Sequence, residues 1–569
     1  MFAWHGSPRE AQPLRGAASA VQILLGAFLA RWRPRRCIVQ LHDALLSPEA
    51  FPAAPLSHVE RIATHISWVF LLERDVYKVK RPVDLGFLDF RTLEKRRLAC
   101  EAEVELNRRL AAGVYLGVVP IGRTADGNFH VNGPGQVVDW AVHMRRVPDA
   151  DRADNLLKEG KLSVALLDEI ARRLAEFHAH APRDPHIAHF GAPEQITQNV
   201  SENFVQTRST VERFLSRREA GELENWQRNY LRDHATLFRE RLERGYVRDG
   251  HGDLRLEHVY VEASGITILD CIEFNDRFRF ADVCADIAFL SMDLEAAGRV
   301  DLAELLLARY ARYANDFDLY GLVDFYESYR AFVRAKVASF TAADATVDYP
   351  TRELALQRAR HYALLALSAK RSPIVPPVLV AIGGLIASGK STLAEGLGSM
   401  LAAPVVDTDR IRKHLSGRLP LGRMSERPFE GVYSADATEK VYDELRRRAR
   451  VVLRSGRPLI VEASFRTAAE RGKIRALALE CQVPFHFLEC RASTEICQAR
   501  LVERGKGPSV SDGRPEIFDA FAASFEAVTE LDPSEHVVVD TTRDLELTLD
   551  GLRRRFGVER SVRPSANPS

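Results

Sequence analysis

The run Gly384-Leu385-Ile386-Ala387-Ser388-Gly389-Lys390-Ser391-Thr392 closes an apolar, β-branched stretch that starts at Val378. Its spacing, glycine, four residues, glycine, lysine, serine, is that of a loop that cradles phosphates. Glycines let the main chain curl so that its N–H groups point inward at phosphate oxygens, and a helix starting near Lys390 adds its positive end. Lys390 would reach the β- and γ-phosphates, and the Ser391 hydroxyl would ligate Mg2+. An ordinary glycine-rich turn needs neither the strand pattern before it nor the helix pattern after it, and both are present.

Further acids and bases follow at places where such a loop could use them. Val405-Val406-Asp407-Thr408-Asp409 ends a second apolar run, and ligands of open α/β sheets bind at the carboxyl ends of strands. Asp407 is the candidate for holding Mg2+ through water, and Asp409 for orienting or deprotonating an acceptor hydroxyl. Asp409 could equally cap the helix that Ile411 begins. Glu462, ending the run from Leu459, is either a metal-directed carboxylate or a buried, paired acid. Arg500 and Arg504 lie one helical turn apart before a glycine-containing segment, the composition of a lid that brings positive charge over a reacting phosphate, or else of a solvated basic helix end. The cluster Arg446-Arg447-Arg448-Ala449-Arg450 is expected to be a solvated helix face.

A second set of acids lies upstream, in Asp249-Gly250-His251-Gly252-Asp253, Glu257-His258 and the later Asp270 and Glu273. Val76-Tyr77-Lys78-Val79-Lys80 alternates as a strand does, and a lysine in such a pattern usually faces solvent.

The elements that must position these groups change character along the chain. Paired strands at 68–72 and 76–80, a long helix over 92–112 and mixed strands to 144 give way to helical periodicity from 154 onward, broken by a strand-rich block at 251–274. That is an α+β, two-lobed pattern. Residues 371–377 contain three prolines and are expected to be a linker. Beyond them strands (to 384, to 408, 459–465, 484–490, 536–540) alternate with helices, the signature of an α/β three-layer domain with a parallel sheet. The expected division is a dispensable extension at 1–36, a first domain at 37–370, the linker, a second domain at 378–558 and a disordered tail at 559–569.

Composition narrows the setting. The 569 residues carry a formal net charge of +1, which offers no global attraction to nucleic acid or to an anionic membrane. The apolar stretch 17–30 is too short to span a bilayer. Seven cysteines without a C-x-x-C pair speak for a reducing, cytoplasmic compartment and against a zinc site or a disulfide framework.

The C-terminal half, 378–556, resembles the small P-loop kinases that include gluconate and shikimate kinases, polynucleotide kinase and the zeta-toxin group. The resemblance implies that Asp409 faces the acceptor and that Arg412 binds it; Glu462 stands where Asp is more usual. The block around His251-Gly252-Asp253 resembles the catalytic loop of aminoglycoside phosphotransferases, relatives of the protein kinases, over about 39–370. That match implies Asp253 as base, Asp270 as metal ligand, Asp286 as a brace for the loop, and Lys78 as the nucleotide lysine paired with Glu103 or Glu101. The second metal ligand, Asn in that family, is His258 here, and no G-x-G-x-x-G loop precedes Lys78. The order of the halves resembles a bacterial two-domain family, a phosphotransferase-like kinase fused to a P-loop kinase of AAA-ATPase type.

The expected function is therefore an ATP- and Mg2+-dependent phosphotransferase with two nucleotide sites, acting on a hydroxyl of a small molecule, with the P-loop half the surer catalyst. Two alternatives stay open: an N-terminal domain that senses a ligand without transferring phosphate, and a polynucleotide 5′-hydroxyl kinase, which the near-neutral charge and the lack of a basic-aromatic platform disfavour.

Overall fold

The computed structural model describes residues 41–52, 58–64, 66–84, 86, 88–368, 373–419, 429–507 and 510–558. The expected extension at 1–36, Cys37, the start of the linker and the tail lie outside these residues. The chain divides into two compact units, Met1–Val104 with Gly113–Arg146, and Glu105–Ala112 with Val147–Ser569.

The first unit is built on an antiparallel sheet of strands β1 (Glu60–Ala63), β2 (Ser67–Leu71), β3 (Asp75–Lys80), β4 (Tyr115–Arg123), β5 (Phe129–Val131) and β6 (Gln136–Arg145), in the order β1-β2-β3-β6-β4-β5. β1 was not expected; all but one of its residues are exposed, so it lacks the apolar alternation that betrays a strand. β3 is central, with Lys78 opposite Val69 on one side and Val142 on the other. The N-terminal part of the helix Leu93–Ala111 is anchored to β6 by the buried pair Arg96 Nε–Asp139 Oδ1, 2.8 Å.

In the second unit, helices Val164–His180, Val283–Ala296, Val300–Ala314, Val323–Ala343 and Tyr349–Ser368 form a largely apolar bundle. Two short hairpin-like pairs sit among them, β7 (Val247–Asp249) with β10 (Phe280–Asp282) and β8 (Val259–Glu262) with β9 (Gly265–Ile268). They carry the His-Gly-Asp loop between β7 and β8 and Asp270 just after β9.

The same unit contains a parallel sheet of β11 (Leu379–Gly384), β12 (Val405–Asp407), β13 (Leu459–Glu462), β14 (Phe485–Arg491) and β15 (His536–Asp540), ordered β12-β13-β11-β14-β15. Every residue of β11 is buried, as a central parallel strand covered on both faces requires. The α+β and α/β classes expected from the sequence are both present. The helix Ala435–Arg454 is capped by Ser434. After the helix Thr494–Arg504, where only a glycine-containing loop was expected, a further helix spans Pro515–Ala523, with proline in its first turn and Ile517 and Phe518 buried.

The bundle and the parallel sheet share one apolar core. Arg457, buried just before β13, donates to Glu304 Oε2 and Asp324 Oδ1 of the bundle, each at 2.8 Å. The arginine cluster 446–450 is not the solvated face expected of it: Arg448 is 3% exposed and donates to Asn315 Oδ1 at 2.7 Å, and Arg447 pairs with Asp318 at 2.6 Å. Long guanidinium side chains cover apolar surface while their heads find partners, and no charge pattern announces that.

Candidate functional site

The loop from Gly384 to Thr392 joins β11 to the helix Lys390–Leu401. Gly384 has φ +138°, and a Cβ there would stand 2.5 Å from the Cys490 carbonyl oxygen; Gly389 has φ +89° and would press a Cβ against Thr541 at 2.9 Å. Both positions demand glycine for backbone and for space. Ala387 adopts φ +61° without that freedom, strain of the kind that gathers at ligand-binding loops. Lys390 Nζ folds back onto the carbonyls of Leu385 (2.7 Å) and Gly384 (3.2 Å), so its ammonium lies at the loop's mouth.

Ser391 Oγ donates to Glu462 Oε1 at 2.7 Å. Asp407, paired with Glu462 across β12 and β13, caps the helix Thr408–Leu415 by accepting from the Arg410 amide at 2.8 Å. The cap is thus Asp407, and Asp409 lies half-buried in the helix's first turn. Asp407 Oδ2 is buried without accepting a hydrogen bond, Arg410 Nε standing 3.3 Å away. Burial and the neighbouring Asp407 push the Glu462 carboxyl up to about 7, and burial raises Asp407 as well.

Two close, desolvated carboxylates resist sharing their negative charge. With the Ser391 hydroxyl they offer the hard oxygen donors that Mg2+ takes when it keeps several waters and substrate phosphates in its shell. The donor set fits that ion. Among the described residues no cluster of three or more His, Cys, Asp or Glu forms a complete protein cage, and a Mg2+ held partly by phosphates does not need one.

Around this centre Arg412 is buried, donates to the Val432 carbonyl at 2.5 Å and lies over the Tyr433 ring at 4.8 Å. Tyr433 Oη donates to Asp512 Oδ2 at 2.9 Å, and the buried Lys413 pairs with Asp512 Oδ1 at 3.5 Å. Arg500 donates to the carbonyls of Thr541 (2.8 Å) and Ala387 (3.3 Å), and Thr541 Oγ1 donates to the Ser388 carbonyl at 2.6 Å. Arg504 is half-buried one turn on. Sequence reasoning missed Thr541, Tyr433 and Asp512. Thr541 follows the last residue of β15 at the carboxyl edge of the sheet, a position that could have flagged it; Tyr433 and Asp512 carry no comparable local signal.

In the first unit, Glu103 meets two lysines, Lys78 Nζ at 2.8 Å and Lys80 Nζ at 2.5 Å. Glu103 and Lys80 are fully buried, whereas Glu101 pairs with Arg97 at the surface.

The His-Gly-Asp loop belongs to the second unit. Asp286 Oδ2 accepts from the His251 amide (2.6 Å) and Oδ1 from the Gly252 amide (2.9 Å), which fixes the loop's turn. Arg109 clamps the carbonyls of Asp249 and Gly250, each at 2.9 Å. Asp253 is gripped through both carboxylate oxygens by Arg255, at 3.0 and 2.9 Å. Burial opposes its charge, but Arg255 and His258 more than offset this and hold it down at about 2. His258 sits against the Asp253 carbonyl through Nδ1 (2.8 Å) and against Arg255 through Nε2 (3.0 Å), with Asp270 Oδ2 at 3.7 Å. Burial, reinforced by Arg255, pushes His258 down to about 4, so the ring is neutral at pH 7. A neutral imidazole with both nitrogens engaged is a poor partner for a hard cation; Asp270, held at φ +64°, lies beside it.

Fold and site together define a P-loop region of the nucleotide-binding type, built on a parallel sheet and preceded by an α+β region. Residues 379–528 match the AAA domain family. Over 479 residues the chain is 32% identical to "Uncharacterized protein Rv2004c" of Mycobacterium tuberculosis H37Rv, a match covering 84% of this chain and 92% of the relative, and it belongs to that protein's family. Among solved structures it is similar to a gluconokinase from Sinorhizobium meliloti 1021 (19% identity, 32% of this chain and 94% of that one, TM-score 0.24). It is also similar to a choline/ethanolamine kinase family protein from Mesorhizobium loti (14% identity, 58% of this chain and 98% of that one, TM-score 0.35). Among the described residues no helix is long and apolar enough to cross a membrane.

Proposed function

We propose that the P-loop region transfers the γ-phosphoryl group of ATP to a hydroxyl of a small molecule in the cytoplasm. The observation that carries this reading is the convergence of Lys390, Ser391, Glu462 and Asp407 at the mouth of the loop, with Asp409 one step along the adjoining helix. Main-chain amides of residues 384–392 hold the triphosphate, and Lys390 swings from its two carbonyls onto the β- and γ-phosphates. Mg2+, when bound at Ser391, Asp407 and Glu462, would neutralise phosphate charge. The acceptor oxygen attacks the γ-phosphorus while Asp409 receives its proton; the bond to the β,γ-bridging oxygen breaks and ADP leaves. Arg500 and Arg504 lie on the helix that leads toward Asp512; in this reading they meet charge on the transferred group, and Arg412 with Tyr433 takes the acceptor side.

The N-terminal region is read as a second nucleotide region that senses rather than transfers. Asp253 is already neutralised by Arg255 through both oxygens, and a carboxylate held near 2 is a weak base for a hydroxyl proton. ATP turnover by the full chain, with a metabolite pool screened by mass spectrometry for gain of a phosphoryl group, tests both readings. Lys390→Ala should abolish turnover and Asp253→Asn should leave it within about twofold, well short of the loss that follows removal of a proton-transfer group. Turnover that survives the first change and vanishes with the second would overturn the assignment.

A further inference from the structure

A second polar cavity lies within the second unit, away from the P-loop. It has a volume of about 300 Å³, at the lower end of the range that takes small organic ligands. One wall is the end of the helix Ala235–Glu243 with Arg244 and Tyr246, together with Asn315 and Asp318 of the bundle. The facing wall is His414, at the end of the helix that carries Asp409 and Arg412, with Arg447 and Arg448 of the helix Ala435–Arg454.

Three guanidiniums thus face one space. Arg448 is buried and fixed by Asn315 Oδ1 and by Glu444 Oε1, both at 2.7 Å. Arg244 and Arg447 are about half exposed and share the carboxylate of Asp318, at 2.7 and 2.6 Å, and Arg447 is held as well by Glu444 Oε2 at 2.7 Å. Asp318 and Glu444 leave the three cations in excess, and burial together with Arg448 and Arg244 keeps His414 in its neutral form. Planar guanidinium forks match phosphate oxygens bidentately, and Asp318 occupies the position between two of them that an incoming anion would compete for.

We propose that this cavity binds a small phosphate-bearing molecule, whose phosphate is gripped by Arg244 and Arg447 with Arg448 at the back. His414, in the last turn of the helix that carries Asp409, lines the same cavity, so an occupant lies against that helix. The binding claim stands whether or not that region transfers phosphate.

The probe is inorganic pyrophosphate, titrated calorimetrically without magnesium into the full chain carrying Lys390→Ala, which removes the P-loop's own grip. Binding should persist in this background and weaken at least about tenfold when Arg244→Ala and Arg447→Ala are added, since two charge-assisted contacts are lost. Asp318→Asn should instead tighten it about threefold or more, because the internal competitor loses its charge. A thermal melt establishes that each variant is folded. If the double arginine variant does not fold, Asp318→Asn decides alone, and unchanged or weaker affinity overturns the proposal. Absence of pyrophosphate binding in the Lys390→Ala background, or binding indifferent to the arginine changes, overturns it as well.

Discussion

The acids of the P-loop region and those of the His-Gly-Asp region sit in opposite electrostatic states. The buried Asp407 and the half-buried Glu462 lie side by side on paired strands, and both are pushed toward protonation. Asp253 is half-buried and Asp286 buried, yet both are held ionised, the first chiefly by Arg255 and the second chiefly by its hydrogen bond with His178. Desolvation is common to the four, so the difference lies in the partner. In the His-Gly-Asp region the local partners outweigh desolvation, whereas beside the P-loop Arg410 and Lys390 do not, and an external cation would relieve the negative charge that remains. A site completed from outside suits a reaction that imports Mg2+ with its nucleotide, and a site completed from within suits a rigid platform.

The sharpest way to break this comparison is to remove one oxygen donor from each region. Ser391→Ala should lower ATP turnover by about 10²–10³-fold, the usual cost of losing a preorganised group at a phosphate. Asp270→Asn should leave turnover within about twofold; a comparable loss there would mean that both regions depend on an imported cation.

The pH dependence of stability is the next test. A carboxyl whose folded pKa exceeds its unfolded value binds its proton more tightly in the folded state, so its contribution is complete below the unfolded value and is lost as pH rises through the folded one. For Glu462 that window runs from about 4.5 to about 7. Without magnesium, denaturant-derived stability should therefore decline across this range, by at most about 1.4 kcal/mol per pH unit for the single group. Glu462→Gln should flatten the decline, and MgATP should do so in the wild type. A decline untouched by either would place its origin elsewhere.

The mirror experiment concerns Asp253, whose depressed value rests on Arg255. Arg255→Ala should raise the Asp253 pKa from about 2 toward the usual carboxylate range, by about one to two units for loss of an adjacent opposite charge, as read by NMR of the labelled carboxyl carbon. A value that stays put would show that the loop backbone, not the arginine, holds the charge.

How much of this was legible follows from where each partner lies in the chain. The loop from Gly384 to Thr392 and the alternation of strands and helices around it are written in neighbouring residues, so spacing alone found the loop, its helix and the strand-end acids. The pairing of Ser391 with Glu462 spans 71 positions and was not read from the sequence, although parallel strands bring their carboxyl ends together. Arg457 with Glu304 and Arg448 with Asn315 span 153 and 133 positions, and nothing local distinguishes such arginines from surface ones. Arg255 is the instructive case, since it lies only two residues from Asp253 but reaches it because of the loop conformation that Asp286 imposes. Lys80 was hidden for a related reason: alternation assigns it the same face as Lys78, but not a single buried glutamate shared by both.

The smallest expected effect comes from His258→Asn, which places at this position the residue found in the aminoglycoside phosphotransferases. Asn can still donate to the Asp253 carbonyl, so the change should cost no more than about 1 kcal/mol, the worth of one altered hydrogen bond. Its consequence for function is the sharper readout. If the region is inactive because Arg255 already neutralises Asp253, then supplying an oxygen donor beside Asp270 should add no phosphoryl transfer in a Lys390→Ala background. If His258 alone withholds a second metal ion, transfer should appear there and should disappear again with Asp253→Asn. The arginine and the imidazole touch one another at 3.0 Å, so their effects need not be additive, and the double change His258→Asn with Arg255→Ala separates them. Transfer that emerges only in the double variant would mean that the region is held silent by two coupled substitutions, and the contrast between the two regions would then reside in a pair of side chains.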